Sequence, residues 1–159
     1  MEKSKFQAVH RLLLEWYDVH QRQLPWRAIA GEQPNPYHVL LSEVMLHQTT
    51  VATVIDYFNR FIARWPTLKD LAEANQEELY HQWQGLGYYS RARNLHACIA
   101  TIAQDYACTI PSLPDELIKL RGIGSYTAAS VAAIAYDYPI IPIDGNITRV
   151  IARLLAIDT

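Results

Sequence analysis

Apolar residues recur every three or four positions along almost the whole chain, and this spacing restricts its fold more than any other feature. Phe6, Val9, Leu13 and Trp16 form one stripe, Val51, Val54, Ile55, Phe58 and Ile62 a second, and Leu95, Ile99 and Ile102 a third. A period near 3.6 puts each set on one face of a helix and turns that face inward. Helix starts agree with the stripes: Asn35-Pro36 precedes Tyr37, Asn75 stands three residues before Glu78, and Pro114 sits in a first turn. Stops agree too. Pro66 ends the segment holding Phe61, Gly85 follows the one holding Trp83, and Pro139 and Pro142 break the chain ahead of Asp144. The one stretch of strand character, Tyr138 to Ile143, contains both of those prolines and cannot sustain a ladder. The spacing predicts an all-α fold of about seven or eight short helices.

Length and composition add outer bounds. With 159 residues, 50% of them hydrophobic, the chain can bury one sizeable core, and nothing calls for two independent domains. The net charge of −2 gives no general attraction to nucleic acid. Its distribution is uneven: residues 28–87 carry three basic and seven acidic side chains, residues 88–153 six basic and five acidic, so the later part is the better phosphate-facing candidate. Cys98 and Cys108 are too few for a disulfide scaffold and lack metal-ligand spacing, so both read as packing residues of a reduced, cytosolic protein. The first twenty residues hold no apolar run long enough for a signal or a membrane span.

Two stretches carry the chemistry. Leu120-Arg121-Gly122-Ile123-Gly124-Ser125-Tyr126-Thr127-Ala128 places a Gly-x-Gly turn between an amphipathic segment and an alanine-rich one. Gly122 and Gly124 can take positive φ, so a helix ending near Leu120 can reverse and restart at Ser125 or Tyr126. The turn's N–H groups and the following helix start, around Ser125, could then meet a phosphate. The same letters also suit an ordinary glycine cap between two core helices. The second stretch, Ile143-Asp144-Gly145-Asn146-Ile147-Thr148-Arg149-Val150, sets one carboxylate at a helix head, where it caps the helix and stays ionised. Glu43 lies in the apolar run Val39 to Leu46. Either it is desolvated and kept protonated, fit to act as an acid, or it belongs to a polar stripe with His47 at i+4.

Taken in order, Leu24-Pro25-Trp26-Arg27, Ser42 to Thr49, Gly85 to Arg93, the hairpin and the Asp144 stretch resemble the MutY-type adenine DNA glycosylases of the helix-hairpin-helix DNA glycosylase superfamily, over residues 6 to 157. The resemblance implies that superfamily's fold, with a six-helix core at residues 28–140 that includes the hairpin at 114–136. It assigns residues 1–27 to the side of an iron–sulfur domain and residues 141–159 to the aspartate loop and the start of the next helix. It implies a chain that stops before that domain is complete. The [4Fe-4S] cluster's ligands would lie beyond Thr159, with no metal or cofactor held here. The bare stripe Phe6, Val9, Leu13 and Trp16 would then be open to self-association of an otherwise monomeric chain.

By the same resemblance, the partner is double-stranded DNA containing an adenine mispair, and the reaction is hydrolysis of the adenine N-glycosidic bond opposite 8-oxoguanine or guanine. Glu43 would be the acid, Asp144 the stabiliser of the sugar cation, and Tyr126 would position Asp144 or the water. Trp26, Arg27, Leu46, Gln48, Thr49, Leu86 and Tyr88 would form the adenine pocket and DNA wedge, and Gly122, Gly124 and Ser125 the phosphate site. Tyr126 stands where endonuclease III-type enzymes carry a Schiff-base lysine, and Thr148 removes a second amine, so a monofunctional enzyme follows. Two alternatives stay open: an endonuclease III-like glycosylase/lyase, and a non-catalytic helix-hairpin-helix DNA-binding module. The implied setting is the cytoplasm, at the nucleoid in a bacterium.

Overall fold

The computed structural model describes residues 2–29 and 31–157, and side chains from residue 6 onward; the outermost bounds expected for the flanking segments, Met1 and Thr159, lie outside the described residues. Among the described residues there are nine α-helices and no strand: α1 Glu2–His20, α2 Pro36–Leu46, α3 Val51–Arg64, α4 Leu68–Ala72, α5 Gln76–Trp83, α6 Tyr89–Asp105, α7 Pro114–Leu117, α8 Ser125–Tyr136 and α9 Gly145–Leu155. The chain is therefore all-α, as its periodicity predicts, with one or two more helices than expected.

The sequence reading overlooked α4. Five residues are too few to show a period, but a reciprocal capping box holds them: the Asp70 N–H donates to Thr67 Oγ1 (3.2 Å) and the Thr67 N–H to Asp70 Oδ2 (2.9 Å). At α5 the start falls where predicted, with Asn75 accepting from the Glu77 N–H at 2.9 Å. Glu78 does not reach back to complete a box; it pairs with Arg64 at the end of α3.

Helices α2 and α8 form the centre. α2 packs against α3, α6 and α8, and seven of its eleven residues are buried. Ala128, Ala129, Ala132 and Ala135 keep the facing side of α8 low, which lets the two helix axes approach closely. Around this pair Leu40, Leu41, Met45, Phe58, Phe61 and Trp83 are fully buried, each contributing about 1.5–3 kcal/mol of apolar transfer.

The second and third stripes supply core residues, while the first does not. Phe6, Val9, Leu13 and Trp16 are 36–58% exposed, and α9 buries no residue. The apolar faces of α1 and α9 thus find no cover among the described residues, which is the bare patch that the resemblance implies for α1. No described helix is long and apolar enough to cross a membrane.

Candidate active site

Burial of α2 gives Glu43 its character. Its neighbours Ser42 and Val44 are buried, and Glu43 itself is only partly exposed, at the edge where α2 meets the first turns of α8. Lost hydration pushes its carboxyl above the usual range, and the Ser130 hydroxyl partly opposes this. Asp144 has the opposite setting. It is the N-cap of α9: Oδ1 accepts from the N–H groups of Ile147 (2.7 Å) and Asn146 (3.0 Å), and Oδ2 from the Asn146 side-chain amide (3.2 Å). These bonds, the Ile147 N–H foremost, hold its carboxyl below the usual range.

The two carboxyls converge. A cleft of about 670 Å³ is lined by Glu43 and Asp144 together with Leu46, Gln48, Tyr88 and Tyr126. Tyr126, in the first turn of α8, lines the same cleft, and after burial the charges of Glu43 and then Asp144 are what raise its phenol. His47, at the C-cap of α2, shares a hydrogen bond between Nε2 and Thr127 Oγ1 (3.1 Å), fastening α2 to α8 beside the cleft. Burial, followed by the nearby Arg91 charge, lowers the His47 pKa and favours its neutral form. One wall of the cleft thus keeps its proton to higher pH than an ordinary glutamate while the other stays ionised to lower pH than an ordinary aspartate, the division of labour used in glycosidic cleavage.

The remaining predicted site residues divide. Tyr88, 62% exposed, and Gln48 both have left-handed backbones, φ +47° and +62°, at the cleft edge. Four do not line the cleft. Trp26 is buried, edge-on to Phe58 with ring centroids 5.3 Å apart, because it is the apolar anchor of the segment after α1. Arg27 donates to the Arg22 carbonyl at 3.0 Å and lines a separate groove with Asp18 and Leu24. Leu86 is 5% exposed and belongs to the core. Thr49 stands behind the cleft, accepting from Arg91. Sequence reasoning missed His47, Ser90, Arg91 and Asn146, which line the cleft, and Ser130 behind Glu43. The available signal was the place of the first four inside or beside stretches already singled out.

The hairpin joins α7 to α8 as expected, but its two glycines differ. Gly122 has φ +81°, and a Cβ there would fall 2.5 Å from Asn94 Cβ. Gly124 takes an extended backbone (φ −89°) as the N-cap of α8, and a Cβ there would meet nothing within 4 Å, so positive φ is not its reason. Between them Ile123 is buried while Gly122, Gly124 and Ser125 face solvent. Gly122→Ala is expected to cost about 1–2 kcal/mol from backbone handedness, with more from Asn94, and Gly124→Ala far less. Urea midpoints at unchanged slope check this, and equal losses at both positions would contradict it.

Among the described residues no three His, Cys, Asp or Glu side chains converge as metal ligands. An iron–sulfur cluster takes a set of cysteine thiolates. Cys98, buried with its thiol pushed up to about 12, and Cys108 do not fit that set.

The pattern of the HhH-GPD superfamily of base excision DNA repair proteins matches residues 41–159. The "Adenine DNA glycosylase" of Rattus norvegicus is 46% identical over 155 residues, 94% of this chain and 30% of the rat protein. The protein of that name from Mycolicibacterium smegmatis is 41% identical over 141 residues, 89% of this chain and 47% of its own length. The chain thus spans less than a third of the rat relative and about half of the mycobacterial one. Among solved structures, a non-covalent endonuclease III–DNA complex aligns with TM-score 0.73 and 29% identity over 96% of this chain and 72% of that one. A thermostable thymine-DNA glycosylase aligns at TM-score 0.83 over 94% of this chain and 68% of its own; at 24% identity this is a likeness of fold alone.

Proposed function

Because the chain belongs to the HhH-GPD superfamily of base excision DNA repair proteins, we propose that it carries the catalytic centre of a monofunctional adenine DNA glycosylase acting on adenine opposite 8-oxoguanine or guanine. The observation that carries this reading is that a partly buried Glu43 and a helix-capping Asp144, in opposite environments, line one cleft. Glu43 gives its proton to adenine N7. The bond between the sugar C1′ and the base nitrogen then breaks with its electron pair on the base. Asp144 stabilises the cation left on the sugar or traps it as an ester, and water completes the exchange at C1′.

A base stacked in duplex DNA has to be extruded before Glu43 can reach it. Tyr88 offers an exposed aromatic face for the gap, with Gln48 and Leu46 beside it. The exposed hairpin around Gly122, Gly124 and Ser125, continuous with the start of α8, suits a backbone phosphate. Neither the Tyr126 phenol nor the Thr148 hydroxyl, which donates to the Asp144 carbonyl (2.8 Å), is an amine, so neither can form a Schiff base with the sugar.

Residues 28–140 are read as the core, flanked by 1–27 and 141–159, and the uncovered apolar faces of α1 and α9 support that division. The chain is read as a monomer open to self-association through α1, in the cytoplasm or at a bacterial nucleoid. The test is single-turnover incubation with a duplex holding adenine opposite 8-oxoguanine. Strand scission at the adenine is expected only after alkali. Scission without alkali would point to a glycosylase/lyase, and tight binding with the adenine retained, in this chain and in one extended to its relatives' length, would leave only a DNA-binding module.

A further inference from the structure

Arg91, in the first turn of α6, is only 9% exposed, and its acceptors are five backbone carbonyls and one hydroxyl rather than a carboxylate. Nη1 donates to the carbonyls of Val44 (3.3 Å), Met45 (2.7 Å) and His47. Nη2 donates to Thr49 Oγ1 (3.0 Å) and to the carbonyls of Leu86 (3.1 Å) and Gly87 (3.2 Å). The first group belongs to the end of α2, where carbonyls lack intrahelical partners and a cation is favoured. This replaces the missing carboxylate and lets a desolvated guanidinium persist. Only Nε–H, among the described buried side-chain N and O atoms, has no partner.

The two groups of acceptors flank two strained residues. Gln48, at φ +62°, lies between His47 and Thr49, and Tyr88, at φ +47°, follows Gly87 directly. Residues bearing a Cβ hold such backbones only where the surroundings over-determine them. The Arg91 guanidinium also lies 5.5 Å from the Tyr88 ring centroid. One buried fork therefore bonds to the chain beside both strained turns at once.

We propose that Arg91 is a positioning residue that locks the Gln48 and Tyr88 turns together, so that both side chains meet the DNA stack as one preformed wedge. The inference rests on the DNA-opening role proposed above for those two residues. A lysine could not replace it, because a single ammonium cannot span acceptors on both turns.

Amide hydrogen exchange on the whole chain tests the lock without DNA, comparing wild type with Arg91→Lys and Arg91→Met. At least about tenfold faster exchange is expected in both 45–50 and 85–90, with α8 unchanged. Should either variant fail to fold, Thr49→Val, which removes one acceptor and buries no charge, gives the same paired loosening at smaller amplitude. A duplex carrying 2-aminopurine opposite 8-oxoguanine reads the wedge: wild type at saturation raises the fluorescence of the extruded base, and Arg91→Lys loses that rise while still binding. Loosening of one segment alone, or of neither, overturns the lock. Paired loosening with an unchanged fluorescence rise overturns the positioning role. Absence of the rise in wild type would sink the DNA-opening reading by itself, while exchange would still decide the lock.

Discussion

Replacing Glu43 with Gln lowers the single-turnover rate of adenine release by about 10²- to 10⁴-fold, the range that general acid catalysis supplies. The substituted amide keeps the side-chain volume and a hydrogen bond for the Ser130 hydroxyl, so packing survives while the transferable proton is lost. The wild-type rate falls as pH rises through the raised Glu43 value, because only the protonated acid can act. Wild-type stability falls in the same direction of pH. A carboxyl whose pKa is raised on folding costs stability above its unfolded value, near 4.3, as the desolvated group ionises. Glu43→Gln is therefore more heat-resistant than wild type at neutral pH, and the advantage disappears below about pH 4. A variant that is inactive and less stable at pH 7 would mean that Glu43 serves packing rather than proton transfer.

Asp144→Asn separates the two jobs of the other carboxylate. Asn is as good an N-cap as Asp, so the bonds from the N–H groups of Asn146 and Ile147 persist and α9 stays in place. The negative charge facing the developing sugar cation is lost, and the rate drops by at least about 10²-fold. Circular dichroism and the urea midpoint stay close to wild type. In wild type, the stability that the ionised cap contributes is present above the unfolded Asp pKa and is lost as pH falls through the depressed folded value; Asn removes that dependence. Equal catalytic losses for Asp144→Asn and Asp144→Ala, together with a collapsed helix only in the alanine variant, mark charge as the catalytic element. Near-full activity in Asp144→Asn would leave the residue as a cap alone.

Much of this arrangement is legible along the chain because local rules decide it. Pro36, Pro114, Gly85 and Asp144 fall where caps and stops predict, and the alanine-rich run after Ser125 forms the buried helix against α2. The failures share a cause. Trp26 and Arg27 look like site residues in a linear motif, yet their direction is set by packing on Phe58 and by the chain around Arg22, which no local pattern encodes. Arg91 is counted with the basic residues of the phosphate-facing part, and its burial depends on carbonyls 44 to 47 residues earlier, at the end of α2. Gly124 resembles Gly122 in sequence, but only one of them has a left-handed backbone. The stripe on α1 has the period of a core helix without finding a core, since periodicity announces an apolar face and not what covers it.

The division of labour between the two carboxyls is open to direct measurement. Carbon-13 NMR titration of the side-chain carboxyl signals, assigned through Glu43→Gln and Asp144→Asn, follows each ionisation separately in the folded chain. Glu43 should titrate above the ordinary glutamate range and Asp144 below the ordinary aspartate range. Two unshifted titrations, or Asp144 holding its proton to higher pH than Glu43, would contradict the account at its base.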